Sequence, residues 1–251
     1  MSEIQIISQQ AVTEIVINRP EKKNALTREM YKTMGDAIIE ADASEACKVV
    51  VIRANGDIFC AGNEISGFAN HGKEPHLAET VGFMKALTNC KKPVIAEVSG
   101  LAVGIGTTML LHCDLVYCAT GTRFVLPFIN LGLVPEYASS YIIPRMAGRR
   151  RASEWLMLGE PFSAQDASDF GLVTKIVEPD ALRDTVSEVA NKLAAKPKFA
   201  LLQTKALLNN EAEDIQQHMD YELDIFIEAM GTDAAQEAFD AFLHKRPINP
   251  E

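Results

Sequence analysis

Residues 93–112, PVIAEVSGLAVGIGTTMLLH, carry the strongest structural signal in this sequence. Pro93 to Val98 forms a mostly apolar run of the kind found in strands that are covered on both faces. The apolar segment Thr107 to His112 has the composition of a buried helix, and the glycines between the two are Gly100, Gly104 and Gly106. This order predicts a buried strand, a glycine turn and a helix.

Strands and helices are also predicted to alternate in the chain before this segment. Two short β-branched stretches, Ile4 to Ile7 and Val12 to Ile17, predict adjacent strands. Thr27 can cap a helix that runs to about Ala43, because a threonine side chain can accept a bond from a free helix amide. Val49 to Ile52 is another continuous apolar run, and a second helix is predicted from about Leu77 to Cys90.

The chain after this segment is predicted to be mostly helical. Strands are expected at Asp114 to Cys118, Phe124 to Leu126 and Val173 to Val177. Helices are expected at 136–146, 149–158, 164–170, 179–195, 198–209 and in two further stretches to about His244. This layout predicts an α/β core over residues 1–195 and a helical C-terminal region over residues 196–251.

Composition and charge narrow the classes of partner. The 251 residues are 47% hydrophobic, enough for one main domain with a sizeable core. The scattered net charge of −10 argues against nucleic acid and anionic membranes as partners. No signal peptide or membrane span is expected, and five cysteines without a CxxC pair favour reduced thiols in the cytoplasm. The five histidines lack metal-ligand spacing, so we expect no metal site.

Two glycine-containing segments could supply backbone amides to a ligand. Glycines before a helix leave N–H groups without partners at the positive end of the helix dipole, which fits Gly100 to Thr108. The alternative for this segment is close packing of the helix on a strand. Phe59 to Glu64 places small residues around a turn and leaves the Asn63 amide free to donate, although such a segment can equally be only a tight turn.

Glu136, which follows the glycine segment in the sequence, is the nearby carboxylate that is predicted to lie on a turn. A position in the first turn of a helix would lower its pKa. An apolar pocket formed by residues such as Leu126, Phe128 and Leu133 would raise the pKa towards neutrality, as a general base requires. The alternative is a solvated partner of the helix dipole.

Several segments taken together resemble the crotonase (enoyl-CoA hydratase/isomerase) superfamily in order and spacing. They are Asn18 to Pro20 with Asn24 to Leu26, Phe59 to Gly62, Gly100 to Asp114, Leu126-Pro127 with Leu131-Gly132, and Ala164 to Ala167 with Gly171 to Val173. The resemblance runs from about residue 3 to the C-terminus. It implies an α/β spiral of ββα units, a C-terminal helical region that builds a homotrimer or a dimer of trimers, and an acyl-CoA thioester substrate without another cofactor.

The resemblance also implies roles for individual residues. The backbone amides of Asn63 and Ile105 would form an oxyanion hole for the thioester oxygen. The usual three glycines of the family have become Gly104-Ile105-Gly106, which keeps the amide and adds one side chain. The residues that match substrate or CoA contacts of the family are Lys22, Ala25, Ala61, Gly62, Ile65, Gly104, Phe128 and Leu133.

The two glutamates that hydratases of this superfamily use are absent. Thr108 and Phe128 stand at those positions, and neither side chain can act as a base. Glu136, within Pro135 to Tyr141, looks like the catalytic glutamate of peroxisomal-type Δ3,Δ2-enoyl-CoA isomerases. The resemblance therefore implies an isomerase of fatty acid metabolism with Glu136 as its single base. The alternatives are a weak hydratase, thioester hydrolase or decarboxylase, and a non-catalytic acyl-CoA-binding protein.

Overall fold

The computed structural model describes residues 2–65 and 77–247. Its larger sheet has six strands, in spatial order β1 (Ile4–Gln9), β2 (Val12–Ile17), β3 (Val49–Ala54), β4 (Val94–Val98), β6 (Leu115–Ala119) and β9 (Lys175–Val177). β1 pairs antiparallel with β2, and all other neighbours are parallel. In this register Ile52 on β3 lies between Ile15 and Ala96.

Both faces of β3 are buried, as its continuous apolar run predicts. Val50 and Ile52 point into the main core, whereas Val49 and Val51 point into a second cluster on the opposite face. The second cluster is closed by one helical face whose buried residues recur every four positions, Leu182, Val186 and Ala190. The sheet is therefore covered on both sides, which is the usual condition for parallel strands.

A smaller sheet consists of β5 (Leu101–Val103), β7 (Arg123–Val125) and β8 (Phe162–Ser163). β5 and β7 are parallel, and β8 is antiparallel to β7. The sequence did not predict β5, which lies within the expected glycine turn, or β8. Strands of three and two residues are too short to display a period of their own.

The described residues form nine α-helices. They are α1 (Arg28–Ala43), α2 (Ala78–Thr88), α3 (Ile105–Thr108), α4 (Ser139–Ser153), α5 (Ala164–Asp169), α6 (Pro179–Ala194), α7 (Lys198–Leu208), α8 (Ala212–Met230) and α9 (Asp233–Leu243). The predicted cap of α1 is confirmed, because the Thr27 side chain accepts a hydrogen bond from Met30 N at 3.3 Å. None of the helices in the described ranges is long and apolar enough to cross a membrane.

The helix expected from Glu136 begins three residues later, at Ser139. Tyr137 and Ala138 have φ angles of 61° and 55°, so the chain cannot be helical there. The predicted break between residues 146 and 149 corresponds to a kink within α4 at Gly148, with φ 76° and ψ 156°. The sequence was therefore wrong to place Glu136 in the first turn of a helix.

Candidate active site

Glu136 lies directly before a strained turn that long-range contacts hold in place. Left-handed backbone at two consecutive non-glycine residues, Tyr137 and Ala138, costs about 1 kcal/mol or more at each. The Tyr137 hydroxyl donates to Met84 O at 2.8 Å. His112 stacks on the Tyr137 ring with centroids 3.8 Å apart, and its Nε2 lies 2.9 Å from Tyr137 O. The conformation of this turn is therefore set by other parts of the fold.

His112 is neutral in this arrangement. Burial lowers the pKa of His112 to about 4. A carbonyl oxygen can only accept, so Nε2 carries the hydrogen and donates it to Tyr137 O. Nδ1 is then the acceptor for the Thr88 hydroxyl, 3.1 Å away. The ring thus fixes the turn through one stacking contact and one hydrogen bond.

The Glu136 carboxyl is buried, with 7% of the residue exposed. Its Oε1 accepts a hydrogen bond from Thr108 Oγ1 at 2.5 Å. Its Oε2 has no hydrogen-bond partner among the residues that the structure describes. Burial raises the pKa of Glu136 to about 8, the Thr108 hydrogen bond opposes this rise, and the Glu222 carboxylate adds to it. Since Glu136 precedes the helix, the lowering influence is Thr108 and not a first-turn position.

Glu136 and Asn63 line one pocket between α2 and α8. The apolar walls come from Leu77, Val81 and Met84 on one side and Met219, Leu223 and Phe226 on the other. Asp220 also lines this pocket, but it is largely exposed and pairs with Lys85 at 3.3 Å across the two helices. Of the two carboxyls that line the pocket in the described part of the chain, only Glu136 is buried. A hydrocarbon group suits these walls.

Asn63 and Ile105 carry the two predicted amide donors. The segment around Asn63 pairs with Leu26, which donates to Gly62 O at 2.8 Å and accepts from Glu64 N at 3.0 Å. Ile105 is the first residue of α3. Within the described residues neither Asn63 N nor Ile105 N has a hydrogen-bond acceptor. Both amides are therefore available to a ligand.

The two segments that carry these amides are packed closely on each other. Cys60 forms a parallel bridge with Ala102. A Cβ added at Gly106 would lie 2.8 Å from Cys60 O, and one at Gly62 would lie 3.1 Å from Val103 O. Gly104 has φ 54° and ψ −120°, a conformation that suits glycine alone. Close packing at the glycines is thus observed together with the free amides.

Phe128 and Leu133 are buried beside the glycine segment. Leu133 N donates to Phe128 O at 2.9 Å. The Phe128 Cε1 atom lies 4.0 Å from where a Gly104 Cβ would be. Neither residue, nor Leu126, is among the described residues that line the pocket of Glu136, whose walls come from α2 and α8 instead.

The other predicted contacts lie around a polar turn. Lys22 is exposed, and Ala25 N donates to Lys22 O at 3.1 Å. Ala61 N donates to Lys23 O at 3.1 Å, which places Ala61 next to this turn and one residue before Gly62. Ile65 is half-buried against the main core. The chain thus brings Lys22, Ala25 and Ala61 together next to the amide segment.

Four polar residues near Glu136 were not predicted to act on it: Thr108, His112, Ser140 and Glu222. The sequence offered no signal for Thr108, His112 and Glu222, because each meets the acid or its turn only through tertiary contact. Ser140 is close to Glu136 in the sequence, but its bond to Glu222 is also a tertiary contact. In the described ranges no cluster of three His, Cys, Asp or Glu side chains could hold a metal ion. His71, His76 and Phe68 lie outside the described residues.

Known proteins of one family match nearly the whole chain. The family described as Enoyl-CoA hydratase/isomerase matches residues 8–250. The chain is 32% identical over 247 residues to the short-chain-enoyl-CoA hydratase of Clostridium acetobutylicum, covering 94% of this chain and 93% of the relative. It is 32% identical over 219 residues to enoyl-CoA delta isomerase 2 of Rattus norvegicus, covering 84% of this chain and 56% of the relative.

Solved structures agree with this match. The crystal structure of enoyl-CoA hydratase/isomerase from Pseudoalteromonas atlantica superposes with a TM-score of 0.93 at 35% identity, covering 100% of both chains. The similar proteins include both hydratases and isomerases by name. Their names therefore do not distinguish the two reactions.

Proposed function

Because this chain belongs to the enoyl-CoA hydratase/isomerase family, as the sequence predicted, we propose that it is an enoyl-CoA isomerase. It shifts the double bond of a 3-enoyl-CoA to the 2-position, with Glu136 as its single base. One observation carries the proposal: Glu136 is a buried carboxyl with a pKa raised to about 8, and it lines an apolar pocket together with Asn63. A carboxyl with a pKa near neutrality can both take and return a proton.

The reaction needs one acid–base group and one anion site. Glu136 removes a proton from the α-carbon, and the electron pair moves onto the thioester oxygen to form a dienolate. The amides of Asn63 and Ile105 donate to this oxygen, and each donor is worth about 3 kcal/mol. The same carboxylic acid then protonates the γ-carbon, which leaves the double bond at the 2-position.

Isomerisation is favoured over hydration by what surrounds Glu136. Hydration requires that a water molecule be held and activated, whereas isomerisation requires that water be kept out. The Thr108 hydroxyl donates its proton to Glu136 Oε1 and so cannot donate it to a water molecule as well. The pocket walls are supplied largely by leucine, valine, methionine and phenylalanine side chains.

Hydration is the second candidate. One observation favours it: Glu136 Oε2 has no partner among the described residues and could hold a water molecule. A relative at 32% identity is itself named a short-chain-enoyl-CoA hydratase. The assay described below separates the two reactions directly.

The CoA moiety is proposed to bind beside the turn of residues 20–25. Lys22, Ala25, Ala61, Gly62 and Ile65 are the residues assigned to it. Lys22 is exposed and cationic, which suits a CoA phosphate. Gly104, Phe128 and Leu133 are assigned to the thioester end, next to the Ile105 amide. Neither a metal nor another cofactor takes part in this scheme.

We further propose a homotrimer or a dimer of trimers in the cytoplasm, with the C-terminal helices as the contact region. Large apolar side chains are exposed on α7 and α9, among them Phe199 at 79%, Leu207 at 78% and Phe242 at 61%. Apolar surface of this kind is normally covered by another protein surface. Sedimentation of the purified protein would test the assembly.

A spectrophotometric assay tests the reaction. The purified protein would be given 3-hexenoyl-CoA or 2-hexenoyl-CoA, beside Glu136→Gln and the control Asp224→Asn, which removes an exposed carboxylate of α8. We expect conjugation of the 3-enoyl thioester by the wild type and the control, and none by Glu136→Gln. Hydration of the 2-enoyl thioester without conjugation of the 3-enoyl thioester would contradict the proposal.

A further inference from the structure

A second buried carboxyl, Glu222, holds the start of α4. Ser140 is the second residue of that helix and lies four residues after Glu136. Glu222 Oε1 accepts from Ser140 N at 2.9 Å and from Ser140 Oγ at 2.5 Å. Glu222 belongs to α8 and is 4% exposed. It therefore joins one wall of the pocket to the turn that carries Glu136.

The chain of hydrogen bonds continues to the surface. His218, one helical turn before Glu222 on α8, has its Nε2 2.9 Å from Ser140 Oγ. Ser140 gives its only hydroxyl proton to Glu222, so His218 Nε2 must carry a hydrogen and donate it. The His218 side chain is 28% exposed. The order of donation is thus from His218 through Ser140 to Glu222.

Glu222 supplies a cap that α4 does not supply for itself. The residue at the cap position is Ala138, whose side chain cannot accept a hydrogen bond. A carboxylate at a helix N-terminus satisfies a free amide and interacts favourably with the helix dipole. Ser139 N in turn donates to Glu136 O at 3.1 Å, so the position of the first turn sets the backbone position of Glu136.

We propose that Glu222 is a positioning residue for Glu136: it caps α4 from α8, fixes the turn that carries the catalytic acid, and couples this turn to His218. The inference rests on the proposed function of Glu136. The cap comes from a distant element because Ala138 has no side-chain acceptor, and it helps to hold the strained left-handed turn at Tyr137 and Ala138.

The charge of Glu222 adds a second effect. Burial raises the pKa of Glu222, and the hydrogen bonds from Ser140 oppose this rise. When Glu222 is ionised, its repulsion contributes to the raised pKa of Glu136. The other groups near Glu136 are Thr108, which donates to it, and the phenols of Tyr31 and Tyr137, whose pKa values are raised by burial so that both are neutral. The titratable group beside Glu222 on its own helix is His218. Glu136 itself faces Glu222 from the residue before the turn that precedes α4.

Two substitutions separate the cap from the charge. Glu222→Gln keeps an acceptor oxygen for Ser140 and removes the charge. Its maximal kcat should stay within about threefold of wild type, while the rise of kcat/KM with pH should move roughly half a pH unit lower. Glu222→Leu removes both effects, so kcat should fall about tenfold or more with little change in KM. Asp224→Asn, on the same helix, is the matched control and should leave the profile unchanged.

The inference is overturned if the pH profile of Glu222→Gln coincides with that of the wild type, or if Glu222→Leu folds and keeps its kcat. Denaturant unfolding across the pH range gives a readout that needs no turnover. From about pH 4.5 upwards the wild type should become progressively less stable than its Glu136→Gln variant. This loss of unfolding free energy should stop near the pKa of Glu136. When both proteins also carry Glu222→Gln, this loss of unfolding free energy should stop at a lower pH.

Failure of the proposed function has a different signature. A wild-type protein without isomerase activity would contradict the proposed function, and the unfolding measurement would still show whether Glu222 acts on Glu136. If the pH at which the loss of unfolding free energy stops is the same with and without Glu222→Gln, the inference is overturned even if the isomerase activity is found.

Discussion

The two parts of the candidate site, here called the amide side and the acid side, are held in place by different means. The amide side, around Asn63 and Ile105, is fixed by backbone pairing and by glycines that allow two segments to touch. The acid side, around Glu136, is fixed by side chains from distant elements, namely Thr108, His112 and Glu222. Substitutions on the amide side should therefore act by displacing the backbone amides, and substitutions on the acid side should act by changing the protonation of Glu136.

The largest effect should come from removing the acid. Glu136→Gln should lower kcat for isomerisation by about 10³-fold or more, since it deletes the only acid–base group of the scheme. The same change should stabilise the fold. Because the pKa of Glu136 rises from 4.5 to about 8 on folding, the wild type loses part of its unfolding free energy as the pH rises between these values, and the variant does not.

At about pH 9 we expect Glu136→Gln to be more stable than the wild type by roughly 3 to 5 kcal/mol. Below about pH 4.5 the two proteins should have similar stability. Urea unfolding at both pH values measures this. A variant with the same stability as the wild type at high pH would mean that Glu136 is not buried with a raised pKa.

The next largest effect should come from the amide side. Gly106→Ala places a Cβ 2.8 Å from Cys60 O, so the segments must move apart. We expect a loss of about 1 to 3 kcal/mol in stability and a fall of roughly 10- to 100-fold in kcat, without any shift of the pH profile. Thermal unfolding and steady-state kinetics measure both.

Gly82→Ala is the matched control for this change. Gly82 lies in α2, and an added Cβ there meets nothing within 4 Å. It should be neutral or stabilise the protein by up to about 1 kcal/mol, because alanine favours a helix. Full activity of Gly106→Ala would contradict the role assigned to close packing of the two segments.

A smaller effect with a distinct signature is expected at Thr108. The Thr108 hydroxyl stabilises the ionised form of Glu136, so Thr108→Val should raise the pKa of Glu136 further. The rise of kcat/KM with pH should then occur at a higher pH, and activity at neutral pH should fall by roughly five- to tenfold. Thr108→Ser keeps the hydroxyl and should restore the wild-type profile. A shift to lower pH in Thr108→Val would contradict this assignment.

The smallest effect is expected at His112. His112→Phe keeps a ring that can stack on Tyr137 but removes the donor to Tyr137 O. The buried carbonyl would lose its partner, so we expect a loss of about 1 kcal/mol in stability, a Tm lower by a few degrees and a several-fold fall in kcat. Calorimetry and kinetics measure these values. An unchanged Tm and kcat would show that stacking alone holds the turn.

The amide side could be predicted from the sequence, whereas the acid side could not be predicted in detail. Apolar runs and cap residues are local, so the buried strand at Val94–Val98 and the cap at Thr27 could be inferred directly, whereas the short strand β5 within the expected glycine turn could not. The strained turn at Tyr137 and Ala138 could not, because both residues disfavour positive φ and adopt it only under tertiary contacts.

The same reason explains why the state of Glu136 was only half predicted. Its possible rise in pKa followed from an apolar setting, but the sequence assigned the opposing influence to a helix start instead of Thr108. Glu222 lies 86 residues after Glu136, and nothing in the local pattern of α8 connects it to Ser140. Such contacts depend on the packing of helices that no single segment specifies.

The central claim is that one buried carboxyl takes the α-proton and returns it to the γ-carbon. The most direct test is a single turnover of 3-hexenoyl-CoA carrying deuterium at the α-carbon, in ordinary water, with mass-spectrometric location of the label. The account predicts that part of the deuterium appears at the γ-carbon of the 2-enoyl product, because a dry pocket slows exchange with solvent. If the γ-carbon of the product carries only hydrogen from the solvent after this single turnover, the claim is contradicted.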